Sequence, residues 1–234
     1  MVPGFGPKDV EYPSGFLGKW KVVQTITAVE DNRQEAKTTV PFVDAILAKG
    51  PGDITFEREY VRDKSGKVVL ERASAATNFK KALMGETAVS QWDPANPNLL
   101  TSTEFSRDRE TPLLEEVKVT KRSQESSATT KEIDQSINAE AQMGYSEFSR
   151  VSVEDLDRDV LQVSAVPKVI SQRLLARYKY DEGASVVSTQ DGVKVDKVVG
   201  VERLYVYKGD SLDIGQPKPD VVVKSKVIMS RLTD

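Results

Sequence analysis

A chain of 234 residues with 38% hydrophobic and 29% charged side chains is long enough to bury a sizeable core and too apolar to stay disordered. Its 33 basic and 36 acidic residues are interspersed and sum to a formal charge of -3, with no basic stripe of the kind that holds nucleic acid. Cys and His are absent, which removes disulfides, thiol nucleophiles, zinc sites built on those ligands, and Ser-His-Asp or Cys-His catalysis. Carboxylate and Lys chemistry and oxygen-ligated Ca²⁺ or Mg²⁺ remain open.

No apolar run approaches the roughly 18 residues of a membrane helix. Residues 1–14 contain no apolar signal core and read as an extended lead, with Val2-Pro3-Gly4-Phe5-Gly6-Pro7 at its start. A targeting segment is expected to have been removed already. Gly18 to Val29 alternates, with Trp20, Val22, Ile26 and Ala28 on one face, and predicts a half-buried strand. Val43 to Lys49 predicts a short helix ended by Gly50-Pro51-Gly52. Ile54–Val61 and Val68–Arg72 flank the turn at Asp63-Lys64-Ser65-Gly66 and predict a hairpin.

Ser74 to Met84 predicts a second helix, with Ser74 as N-cap and Gly85 beyond its end. Strands follow at Thr87–Trp92 and Leu99–Phe105, joined by a turn containing Pro94 and Pro97, and at Leu113–Arg122. Gln124–Thr130 reads as loop, and Glu132–Gln142 is ambiguous. Further strands are expected at Gly144–Val153, Val160–Val163, Val169–Tyr180, Val198–Tyr207 and Val221–Leu232. Turn-punctuated strands without βαβ alternation predict an all-β, antiparallel barrel of about 8–10 strands with one or two short helices, one domain over residues 15–234.

Several clusters invite a functional reading and also have a plainer one. Glu57, Arg58, Glu59, Arg62 and Asp63 read as a solvated face with cross-strand pairs. Asp155, Asp157 and Asp159 have the alternation of a Ca²⁺ loop, but the sixth and twelfth positions of an EF-hand would be Val160 and Val166, so that motif fails. Gly4-Phe5-Gly6 and Gly50-Pro51-Gly52 lack the context of phosphate loops. Trp92 reads as a strand-terminal aromatic at the core edge, with a barrel-rim role as the alternative. Tyr178 and Tyr180 share one face of their strand, as do Tyr205 and Tyr207 of theirs. These four either line a pocket, form a protein interface, or pack the barrel.

Gly18-Lys19-Trp20 at the start of the first strand resembles the lipocalin pattern. In that family the Trp plugs the closed end of the barrel and an Arg of the last strand packs across the indole. The resemblance assigns barrel closure to Gly18, Trp20 and Arg231, the last within Met229-Ser230-Arg231-Leu232, with Trp20 as plug or as cavity floor. Phe16-Leu17-Gly18-Lys19-Trp20-Lys21-Val22, Trp92-Asp93-Pro94-Ala95-Asn96-Pro97-Asn98-Leu99-Leu100 and Val201-Glu202-Arg203-Leu204-Tyr205 are similar in order and spacing to a poorly characterised family of cyanobacteria, algae and plant chloroplasts. Several members of that family are directed to the thylakoid lumen. The resemblance implies a lipocalin-like barrel in a photosynthetic compartment and no particular activity.

The expectation is therefore a binding protein for a lipid, pigment or other apolar molecule, with ligand contacts at Trp20, Tyr178, Tyr180, Tyr205 and Tyr207, and neither cofactor nor catalytic residues. The alternative is an accessory or assembly subunit of a photosynthetic membrane complex. An enzyme is not expected, because no carboxylate or Lys pair stands out.

Overall fold

The computed structural model describes residues 6–33, 40–85, 87–105, 111–126, 142–156, 167–189, 192–209 and 218–232. A 3-10 turn at Ser14–Phe16 leads into β1 (Gly18–Asp31), α1 (Pro41–Lys49), β2 (Gly52–Arg62), β3 (Val68–Leu70) and α2 (Arg72–Met84). The chain continues through β4 (Thr87–Trp92), β5 (Leu99–Phe105), β6 (Leu113–Ser126), β7 (Gln142–Asp155) and β8 (Lys168–Tyr180). It ends in β9 (Val186–Thr189), β10 (Gly192–Val195), β11 (Lys197–Lys208) and β12 (Val221–Arg231).

Ten strands form one antiparallel sheet in the order β3-β2-β1-β12-β11-β8-β7-β6-β5-β4, and β9 and β10 form a separate hairpin. The sheet curls into a half-barrel. β1 pairs with both β2 and β12, so the first and last strands meet. Its inward residues are Trp20, Val22, Gln24 and Ile26. A register shift between Ile26 and Ala28 then breaks the alternation, and Val29 rather than Ala28 packs on the core.

The edges β3 and β4 do not pair with each other; α2 fills the gap between them. It packs against β2 on one side and against β4 and β5 on the other. Asn78 Nδ2 donates to the Glu57 carbonyl of β2 (3.2 Å), and Thr77 Oγ1 donates to Ser90 Oγ of β4 (3.0 Å). Phe79 meets Phe56 edge-on, with ring centroids 5.2 Å apart. The cap of α2 is Glu71, whose carboxylate accepts from Ser74 N (2.6 Å); Ser74 itself lies inside the first turn.

The lead joins the same seam. Tyr12 N donates to Val68 O of β3 (2.8 Å), and Glu11 N donates to Gln124 Oε1 of β6 (3.0 Å). Arg122 Nη1 donates to the Lys8 carbonyl (2.6 Å), and Val10 and Tyr12 are buried. Beyond Arg122, β6 continues through Gln124 and Glu125 to Ser126, where a loop is expected, because these residues pair with Tyr145, Gly144 and Met143 of β7. The hairpin β9–β10 has no counterpart among the sequence expectations. The expected strand Val160–Val163 and the residues Asp157 and Asp159 lie outside the described residues.

Candidate functional site

The barrel interior is layered along its axis. One end is filled by rings. Phe16 lies within 6.3 Å of Trp20, Tyr60, Tyr178 and Tyr180, centroid to centroid, and Tyr12 packs edge-on to Tyr60 at 4.7 Å. The Trp20 indole N–H donates to the Phe16 carbonyl (2.6 Å), and Arg231 Cζ stands 4.5 Å from the Trp20 ring centroid. Arg231 also donates to the carbonyls of Gly15, Leu17 and Val195. Gly18 has φ +108°, a conformation that favours glycine, and a Cβ there would crowd Arg231 Nη1 at 3.0 Å. Gly18, Trp20 and Arg231 thus pack as one unit, and Trp20 is fully buried and does not line the cavity described below.

Beside these rings lies a polar layer. Arg58 Nη1 donates to Glu202 Oε1 (2.9 Å) and to Tyr178 Oη (3.1 Å), while Tyr178 Oη also donates to Glu202. Burial, with the Glu202 charge beside it, holds the Tyr178 phenol well above its usual pKa, so it stays protonated as a donor. Gln24 Nε2 donates to Ser225 Oγ (3.3 Å) in the same layer.

Above this layer lies a cavity of about 270 Å³. Its apolar wall comes from Ile26, Ile54, Leu174, Leu204 and Val223 of the sheet, Phe42 and Ile46 of α1, and Phe79 of α2. Arg72, Ala76, Phe79 and Lys80 face it together because offsets of four, seven and eight residues fall on one side of a helix. Gln24, Gln172, Ser225, Arg58, Glu202, Glu115 and Glu147 supply the polar part of the wall.

Two further buried ion networks tie the α2 side to the sheet. Arg72 holds Glu147 through both Nη atoms (3.1 and 2.9 Å) and Asp9 through Nη2 (2.8 Å), and Arg122 Nε also donates to Glu147 (2.8 Å). Burial would raise the Glu147 carboxyl, but Arg72 and Arg122 outweigh it and hold it below the usual range. Lys80 Nζ donates to Glu104 (2.5 Å) and Glu115 (2.7 Å). Burial would lower the Lys80 ammonium, yet these two carboxylates raise it; Glu115 is itself pushed up, chiefly by burial.

The four tyrosines separate. Tyr178 and Tyr180 point inward and are buried in the aromatic end, whereas Tyr205 and Tyr207 stand on the outer face of β11. They therefore do not line one pocket, since neighbouring strands run antiparallel and their inward parities are set independently by register. None of the four, nor Trp20, lines the cavity.

The charged residues that do line or brace it escaped the sequence reading. Arg58 is not on a solvated face but shares inward parity with Ile54, Phe56 and Tyr60. Glu115 alternates with Leu113 and Val117, Glu147 with Tyr145 and Val151, and Glu202 with Val198 and Val206. A charge at the apolar parity of a strand was the available signal.

Among the described residues no helix is long and apolar enough to cross a membrane, and no group of three or more acidic side chains is placed to hold a metal ion. No curated protein matches the chain. A family model matches residues 4–233, and the chain belongs to that family, described as a Domain of unknown function (DUF6816).

Proposed function

We propose that this protein is a non-enzymatic binding protein whose half-barrel holds a small amphiphilic molecule. The observation that carries the reading is the cavity under α1 and α2, whose wall combines apolar side chains of the sheet and both helices with buried polar groups of the sheet and α2. Ligand pockets combine an apolar lining with a few convergent polar groups in this way. At about 270 Å³ the cavity lies just below the usual range of roughly 300–1,000 Å³. That favours a short-chain lipid or similar small amphiphile over a tetrapyrrole or carotenoid pigment. The lipocalin-like closure by Gly18, Trp20 and Arg231 supports a ligand-holding barrel, and the resemblance quoted above supports a photosynthetic compartment, the chloroplast thylakoid lumen or its cyanobacterial equivalent.

Binding is favoured over catalysis by how the wall carboxylates are held. Glu202 is tied to Arg58 and Tyr178, Glu147 to two arginines, and Glu115 to Lys80, so the charges serve one another rather than an open reacting centre. Native mass spectrometry of protein purified gently from its own source tests the reading. An added mass of a small amphiphile, displaced when bulk is introduced by Ala76→Phe, is expected. Protein that carries nothing, and whose melting temperature no amphiphile raises, refutes it.

A second reading, an accessory subunit of a photosynthetic membrane complex, is favoured by the outer face of the sheet. There Val201 (48% exposed) and Ile228 (43% exposed) lie in a groove with Val199, Arg177 and Lys226. Exposed apolar side chains among cations fit an acidic protein surface. Salt-sensitive co-purification with such a complex, lost in a Val201→Asp/Ile228→Asp variant, is the expected result; elution as a free monomer at low salt refutes it.

A further inference from the structure

The polar part of the cavity wall is unbalanced, and the imbalance has chemical content. Four of its residues carry a deeply buried polar atom with no hydrogen-bond partner: Gln24 Oε1, Gln172 Oε1, Glu115 Oε2 and Arg72 Nε. Three of these are acceptors and one is a donor. Glu104 Oε2, behind Glu115, is a fourth acceptor without a partner. A buried polar atom left unpaired costs roughly 1–3 kcal/mol, and a ligand that donates to these oxygens removes that cost.

The charges lean the same way. At the Lys80 site one ammonium serves two buried carboxylates, Glu104 and Glu115, which are 1% and 3% exposed. This site carries an excess of one negative charge when all three groups are ionised. The other wall cations are committed: Arg58 to Glu202, and Arg72 to Glu147 and Asp9.

We infer that the cavity accepts an amphiphile whose polar end donates hydrogen bonds, a primary aliphatic amine or alcohol, and rejects the corresponding carboxylate. An ammonium head can donate to more than one of the Gln24, Gln172 and Glu115 oxygens and a hydroxyl head to one of them, with the tail among Phe42, Ile46, Phe79 and Leu174. A carboxylate head would bring acceptors to a wall already rich in them and a second negative charge beside Glu104 and Glu115. Like charges brought together at a buried site are a strong basis for rejection. Among the unpartnered wall atoms Arg72 Nε is the one donor, and its guanidinium is already shared by two carboxylates. The raised pKa of Glu115 is consistent with this: burial chiefly pushes it up, the Glu104 charge adds to that, and a cationic head would favour its ionised form.

This inference rests on the cavity being a binding site, and the experiment separates the two. Octylamine, 1-octanol and octanoate have equal tails and differ only at the head. Isothermal titration at pH 7 against the wild-type chain is expected to show the amine and the alcohol binding and octanoate at least about tenfold weaker. Binding of none of the three overturns the cavity reading itself. Octanoate equal to or tighter than the amine leaves the cavity reading standing and overturns the head assignment. Glu115→Gln, which replaces a free carboxylate oxygen by a neutral amide, is expected to cut octylamine affinity about tenfold while octanol changes little. Gln172→Leu, which touches no ion pair, is expected to weaken octanol and is the second reporter if the Glu115 variant does not fold. Retention of full affinity for both ligands in the folded variants overturns the assignment.

Discussion

Replacing Lys80 by Met tests the buried charge arrangement most sharply. Lys80 is 5% exposed and its ammonium lies 2.5 Å from Glu104 and 2.7 Å from Glu115. Met keeps most of the aliphatic stem, so the change removes charge rather than bulk. Two buried carboxylates would then face each other with no cation. Removing one partner of a buried ion pair costs about 3–5 kcal/mol. The folded variant limits that cost by binding a proton, which means the folded Glu115 carboxyl, already pushed up chiefly by burial, rises further above the unfolded value of 4.5. A raised folded pKa contributes stability that is complete below the unfolded value and is lost as pH rises through the folded one. The deficit relative to wild type is therefore small near pH 5 and grows toward pH 8. A deficit of ~4 kcal/mol is expected at pH 8. Urea unfolding followed by tryptophan fluorescence at pH 5, 6, 7 and 8 measures it. The reasoning is refuted by a deficit below ~1 kcal/mol at pH 8, or by one that is equal at pH 5 and pH 8. The triple variant Lys80→Met/Glu104→Gln/Glu115→Gln is expected to lose the pH dependence.

Three other perturbations probe the closure and the seam. Arg231→Lys keeps the charge but loses the planar stack on Trp20 and the three-carbonyl fork, and is expected to cost about 3 kcal/mol with a change in the near-ultraviolet circular dichroism of Trp20; an unaltered spectrum and midpoint would contradict the closing role. Removing residues 1–12 strips Val10 and Tyr12 from the core, about 4 kcal/mol by side-chain burial alone, and should speed amide exchange in β3 and the Gln124 end of β6 while the β1–β12 ladder stays protected. Glu147→Gln leaves Arg72 and Arg122 short of a counter-charge and is expected to cost about 3–5 kcal/mol at pH 7. Because the folded Glu147 carboxyl is depressed below 4.5, wild type loses its contribution as pH falls through that folded value, so the variant's deficit should shrink in acid; a constant deficit from pH 7 to pH 3 rejects the assignment.

Most of the fold was legible because the strands alternate cleanly and glycines and prolines punctuate them. Gly50-Pro51-Gly52, the Asp63–Gly66 turn and Gly85 fall where elements end, and both helices lie within a few residues of their expected positions. The closing unit was legible too, since Gly18, Trp20 and Arg231 carry a recognisable spacing at the two ends of the chain. Periodicity failed at the register shift after Ile26, which moved Ala28 off the inner face, and at Gln124–Ser126, whose polar side chains hide a paired backbone.

The sequence by itself determined most of the strand pattern and the chemistry that the absence of Cys and His excludes. Only the tertiary structure decided which parities face each other across the barrel. Tyr178 and Tyr205 look equivalent along the chain, yet register puts the first inside and the second outside. Arg58 and Glu202 lie 144 positions apart and Lys80 and Glu115 lie 35 apart, so no local pattern announces either pair. They are buried because the curl of the sheet and the insertion of α2 between β2 and β4 bring opposite charges together, and burial is tolerable only where that pairing exists.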